Sequence, residues 1–169
     1  MIIIGVDVGI TGGLAVLEDG KLIALYPMPA KEVDYKGKTR KEVDGKLLYT
    51  LFERHNPNLV AIELVHAMPK NGATSMFRFG YSAGVVYGIA CGFWQDTQIQ
   101  FIRPQDWKKA MGLLKTSKND AISKCLEVFV SHRDWFSSTG PRGGKDPSLS
   151  GKADAALIAL TAYLDLNKE

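Results

Sequence analysis

Only two cysteines occur in 169 residues, Cys91 and Cys125, and both lie inside apolar patterns without paired spacing. That excludes a disulfide framework and reads as two reduced core thiols of a cytosolic protein. Histidine is nearly as scarce, with three, and no second His or Cys stands at zinc-ligand spacing from His66, so no zinc site is expected there. No stretch reaches the roughly 18 consecutive apolar residues of a membrane span. The apolar start, MIIIGVDVGI, lacks a basic leader and is interrupted by Asp7, so the chain is expected to be cytoplasmic and not secreted. A G-x-x-x-x-G-K-[ST] phosphate loop is missing as well. Gly9, Gly12 and Gly13 follow a strand-like run, but another strand-like run comes next instead of a helix. They read as turn glycines, and nucleotide hydrolysis is disfavoured. With no internal repeat and no second domain visible, residues 1–169 are expected to form one domain.

What is present suits a globular fold. The 46% hydrophobic content is enough for a full core, and a net charge of +3 permits a polyanionic partner without demanding one. IIIGVDVG, GLAVLE and LIALYPM read as three antiparallel strands, the last two joined by an Asp-Gly hairpin turn. Residues 30–43 carry Lys31, Lys36, Lys38, Arg40 and Lys41 with little apolar content and read as an exposed basic loop. Asp44 caps a helix whose apolar positions are Leu47, Leu48, Leu51 and Phe52, and LVAIE restarts an extended run. A long small-residue helix, SMFRFGYSAGVVYGIACGFW, leads to a fifth strand, QIQFIRP. Two short helices, a long loop from Ser131 to Gly151 and a closing helix, KADAALIALTAYLDL, complete the chain. The order β-β-β-α-β-α-β-α predicts an α/β fold, a mixed five-stranded sheet with helices on both faces.

Within that order three carboxylates converge. Asp7 and Glu63 each sit at the polar end of an apolar run, and the crossover rule sets the strand of Glu63 parallel to an earlier one, most naturally the first. Asp154 is expected to begin the last helix, on the face shared with Leu157, Ile158 and Thr161. Singly, each acid has an ordinary reading as a turn acceptor, a strand-end group or a helix N-terminal charge. Together they would repel and shift each other's pKa values unless cations neutralise them, and magnesium suits hard oxygen ligands with open positions. Such an arrangement holds metal for in-line attack on a phosphate.

The start IIIGVDVGITGGLAV, the centre VAIELVHAMPKNGATSMFRFGYSAGVVYG and the helix KADAALIAL, taken in this order, resemble a RuvC-type Holliday-junction resolvase of the RNase H-like superfamily, of the phage or small bacterial type. The resemblance covers almost the whole chain. Sugar-kinase and actin-like ATPases share the D-x-G start but need a second glycine-rich half, for which 169 residues leave no room. The resemblance implies one RNase H-like nuclease domain over residues 1–169, with Asp7, Glu63 and Asp154 as metal ligands for magnesium, or manganese in its place. It implies a catalytic lysine at Lys118 and a homodimer acting on a twofold four-way junction. Such resolvases usually place a further acid three or four residues before the last one, where this chain has Gly151 and Ser150. Asp146 is the candidate fourth ligand, with water and Ser150 as the alternative. The missing acid also leaves open a catalytically silent module that only binds branched DNA.

The DNA-facing candidates lie elsewhere. RPQDWKKAMGLLKTSK carries Lys108, Lys109, Lys115 and Lys118, with Trp107 read as a core residue. By resemblance His66, three residues after Glu63, holds the position of a junction wedge, with Met68 as its substitute. Phe77 and Phe79, two apart on one helix, cannot share a face, so one is expected outward as a dimer contact. Lys36, Lys38, Arg40, Arg78, Arg142 and Lys152 complete the set of candidate DNA-binding residues. No base-reading constellation stands out, so neither cut-site preference nor the choice among junction, fork and flap is set by these residues.

Overall fold

The computed structural model describes residues 1–64, 72–93, 97–115, 118–137 and 146–168. Three strands open the chain, β1 (Ile2–Asp7), β2 (Gly13–Glu18) and β3 (Lys21–Pro27). They are followed by β4 (Ala30–Tyr35), β5 (Lys38–Val43), α1 (Gly45–His55), β6 (Leu59–Glu63), α2 (Ala73–Phe93) and β7 (Gln98–Ile102). The chain then forms α3 (Pro104–Ala110), α4 (Lys118–Val128), a 3-10 turn over Val130–Phe136 and α5 (Leu149–Leu166). The main sheet has the order β3-β2-β1-β6-β7, with β1, β2 and β3 antiparallel and β6 parallel to both β1 and β7. This is the mixed five-stranded sheet that the sequence order predicts.

Local chemistry explains the joints. Asp19 and Gly20 both take positive φ, the primed hairpin geometry that matches strand twist. Asp44 caps α1 by accepting from the amides of Lys46 and Leu47 at 3.1 and 3.2 Å. Pro104 opens α3, where its missing N–H leaves nothing unsatisfied.

Alternation along the central strands splits the core in two. Ile3, Ala15, Leu17 and Ala61 pack against Trp107 of α3, Cys125 of α4 and the alanine-rich α5, while Ile4, Val6, Leu14, Val16 and Ile62 pack against Leu48 and Phe52 of α1 and Val86 of α2. Helices therefore cover both faces. On the α5 side, Gly5 is required by contact: a Cβ there would lie 2.2 Å from the Ala155 carbonyl oxygen and 2.7 Å from the Ala159 Cβ.

Four expectations change. Residues 30–43 are a two-stranded ribbon, with Ala30 opposite Val43 and Tyr35 opposite Lys38. Its turn residues, Lys36 and Gly37, both have positive φ, and its polar residues on both faces hide the alternation that marks a strand. The last helix starts at Leu149, so Asp154 lies in its second turn. The Ser-Gly pair before it is helical because small residues let that turn press on the β1–β2 connection. The expected loop from Ser131 opens inside the 3-10 turn, anchored by buried Phe136 stacked on Phe129 at 5.9 Å between centroids. Finally, Cys125 is buried as expected, but Cys91 is exposed on α2.

The Gly5 contact yields a stability test. Gly5→Ala should destabilise the chain by about 3 kcal/mol or more, since the collision is with backbone that cannot rotate away. Urea denaturation measures it, and a loss below about 1 kcal/mol would mean that α5 can lift from β1 at little cost.

Candidate active site

The ends of β1 and β6 bring the first two acids together. The parallel register sets Val6 beside Ile62, so the next residues along, Asp7 and Glu63, emerge side by side at the same edge. Among the described residues, Asp7 accepts a long contact from the Gly9 amide, 3.5 Å. Glu63 accepts a hydrogen bond from the Trp107 indole N–H at 3.0 Å, and that ring is itself buried. The third acid arrives through α5. Its first turn meets the β1–β2 connection at Gly12 and Gly151, where a Cβ on Gly151 would lie 2.4 Å from the Gly12 Cα.

Asp7 registers this convergence. Its carboxyl is pushed up to about 7, first by burial and then by the charges of Glu63 and Asp154, with the Gly9 amide and Lys108 opposing. Asp7 and Asp154 line a cavity of about 410 Å³ together with Thr11, Lys108, Lys115 and Ser150. Glu63, turned to Trp107, acts on the cavity through the field it places on Asp7. Among the described residues no three His, Cys, Asp or Glu side chains close into a metal-binding group. The acids ring an open, polar hollow.

Solved structures share this architecture. RuvC of T. thermophilus in complex with a Holliday junction substrate superposes with a TM-score of 0.65 at 19% identity, covering 98% of this chain and 95% of that one. The yeast mitochondrial Holliday junction resolvase Ydc2 gives 0.53 at 15% identity, covering 98% and 80%. The fowlpox virus Holliday junction resolvase gives 0.52 at 16% identity, covering 98% and 99%. This chain has the RuvC-type, RNase H-like fold. No protein-family model and no curated protein matches the sequence.

On the RuvC-type scaffold the remaining candidates separate clearly. Lys108 and Lys115 line the acidic cavity, and Lys109 is exposed on α3 outside it. Asp146 is held by Lys152 at 2.5 Å and accepts from the Ser148 hydroxyl and amide at 2.6 and 2.9 Å. Burial raises its carboxyl, but those donors outweigh burial and hold it below the usual range. Asp146 and Lys152 thus engage each other, and neither lines the cavity. Ser150 does line it. Lys36, Lys38 and Arg40 lie on the ribbon and Arg78 on α2, away from the acids. His66, Met68, Arg142 and the side chain of Lys118 lie outside the described residues.

Trp107 is the contributor that sequence reading missed. Its place in the core was legible from helical spacing, but its hydrogen bond to Glu63 links positions 44 residues apart, and no local pattern signals it. Thr11 and Pro147 also line the cavity without any motif to mark them.

The raised carboxyl fixes a pH dependence. Asp7 binds its proton more tightly folded than unfolded, so in metal-free protein its contribution is most favourable below pH 4 and is lost as pH rises toward 7. Roughly 2–4 kcal/mol is at stake, an upper figure given coupling to the other acids. Asp7→Asn should remove most of this slope and raise the melting temperature of the metal-free protein at pH 8. An unchanged slope between pH 4 and 7 would show that Asp7 is not the strained group.

Proposed function

We propose that this chain is a divalent-metal-dependent endonuclease that cuts four-way or related branched DNA, acting as one nuclease domain over residues 1–169. The observation that carries this reading is the Asp7 carboxyl, raised first by burial and then by two acids from distant parts of the chain, beside a polar cavity. A structural acid at a strand end would instead be held low by amides or a paired cation. The likeness in fold to RuvC and other Holliday junction resolvases supports the substrate class.

A hard cation fits the donor set. Carboxylate oxygens are the charged donors, with Asp7, Glu63 and Asp154 set against Lys108 and Lys115, and the hollow leaves room for the waters that magnesium retains. Asp7 and Asp154 would hold magnesium, or manganese in its place, and Glu63, held by the Trp107 indole N–H, would add negative charge beside them. Bound there, the ion would activate water and neutralise charge on the phosphate under attack. The chain's own residues do the rest. Asp7 must lose its proton, so occupancy should rise with pH through about 7. Lys108 and Lys115 bring positive charge to the same hollow, where a phosphate oxygen can be gripped. Lys109 adds positive charge on the exposed side of α3, and Lys118, Arg142, His66 and Met68 are carried as DNA-contact candidates from the sequence alone.

A homodimer suits a twofold junction. The outward face of α2 carries Gly80, Gly84 and Gly88 with open space where a Cβ would stand, so a second copy of α2 can approach backbone to backbone there, while Phe77, 78% exposed, borders a separate cleft beside β5.

A synthetic four-way junction tests the reading. Wild-type protein should cut it in magnesium, and Asp7→Asn should lose at least a hundredfold in rate while low-salt binding survives, because the basic surface is untouched. Cutting by Asp7→Asn at near wild-type rate would remove the site assignment, and binding without any cutting by wild-type would leave a branched-DNA-binding module.

Contact favours one of the two positions for a fourth acid. Gly151 cannot carry an acid, because even a Cβ meets Gly12, whereas Ser150 faces the cavity one helical turn before Asp154. Ser150→Asp should therefore lower the magnesium concentration needed for half-maximal cutting several-fold, and Gly151→Asp should unfold the N-terminal turn of α5. Asp146→Asn should leave metal demand unchanged, and its loss of cutting with intact binding would make Asp146 the ligand instead.

A further inference from the structure

The β4–β5 ribbon is more than a charged surface loop, because its register sorts its charges. Direct cross-strand pairs put Lys31 with Glu42, Val33 with Arg40, and Tyr35 with Lys38 on one face, and Glu32 with Lys41 and Asp34 with Thr39 on the other. The first face holds three cations to one acid. The reverse face holds two acids to one cation. Tyr35 stands at the outer end of the basic face, 50% exposed, with the Arg40 guanidinium 4.0 Å from its ring centroid. Arg40 also pairs with Glu42, yet its Nε is buried with no hydrogen-bond partner among the described residues. Lys36 and Lys38 flank the ring at the tip and have no ion-pair partner among the described residues.

This face opens into a cleft of about 530 Å³ between the ribbon and the first half of α2, where Arg40 and Arg78 both stand. Ile10 lines this cleft, and the next residue, Thr11, lines the acidic cavity, so the β1–β2 connection borders both hollows.

We propose that the ribbon and the cleft form a second nucleic-acid site that takes an unpaired strand at the branch point, with Tyr35 stacking on a base and Arg40, Lys38 and Arg78 on phosphates. Duplex does not satisfy this face. Stacking needs an open base face, which paired DNA offers only at ends and branch points, whereas cations alone would serve duplex equally well. The ring braced by Arg40 keeps its orientation, which lowers the ordering cost of a stack. The proposal rests on the branched-DNA reading and adds a second contact for that substrate, and as a binding site it can be tested without cleavage.

The test uses the full chain with a short oligothymidylate, a duplex of equal length and a four-way junction carrying 2-aminopurine beside the branch point. Tyr35→Leu should weaken the single strand about tenfold and abolish quenching of the 2-aminopurine, with duplex affinity within twofold and Tyr35→Phe close to wild type. Arg78→Gln should lower the salt dependence of single-strand binding by about one counterion. Equal losses on duplex and single strand, or full quenching by Tyr35→Leu, would overturn the proposal, as would a change of Tyr35→Leu from dimer to monomer in light scattering. If wild-type protein ignores the junction but binds the single strand through Tyr35, the ribbon site stands and the junction-cutting reading fails. If junction cutting requires Asp7 while Tyr35→Leu binds every DNA normally, the reverse holds.

Discussion

Backbone lies against backbone where α5 crosses the central strand, and the rest of the molecule is arranged around that contact. Gly5 admits the Ala155 carbonyl, while Gly12 and Gly151 admit each other, so the helix sits closer to the sheet than any side chain would allow. A run of alanines continues the approach through Ala153, Ala156 and Ala159. Packing at this range places Asp154 beside the end of β1, and a shift outward by the thickness of one methyl group would weaken the field that Asp7 feels. The same closeness explains why a helix with almost no polar face is stable here, since nearly all of it is interior.

Charge is distributed to keep the cavity acidic. Lys152, the nearest lysine in sequence to Asp154, is tied to Asp146. That pair removes a cation and an anion from the hollow together and fixes the chain entering α5, since Asp146 also takes both hydrogen bonds from Ser148. Lys108 remains as the cation that Asp7 senses. The outcome is a group whose proton is balanced near neutrality, a condition that burial alone would not set so close to physiological pH.

Much of this was legible in the residues and some was not, for identifiable reasons. Asp7 and Glu63 could be paired on paper because each interrupts an apolar run at its end, and the handedness of crossovers leaves few neighbours for β6. The two-sided core followed from the order of the elements. The ribbon escaped because its strands are polar on both faces, so period two carries no hydrophobic signal, and its Lys-Gly turn lacks the usual asparagine or aspartate. The Trp107 hydrogen bond escaped because it depends on how α3 lies across β6. Gly151 shows the limit most clearly: the sequence marks it as a place without an acid, and only the distance to Gly12 shows that it is also a spacing element.

The contact between Gly12 and Gly151 also has a temporal side. It joins positions nearly at opposite ends of the chain, so the acidic cavity is among the most non-local features of the fold. A ribosome-bound chain can form the hairpin of β1 and β2, and even pair β6 with β1, without yet having the third acid. The share of the repulsion on Asp7 that comes from Asp154 therefore appears only when α5 docks. Synthesis itself thus keeps the hollow incomplete until α5 has emerged, an order of events written into where the glycines stand.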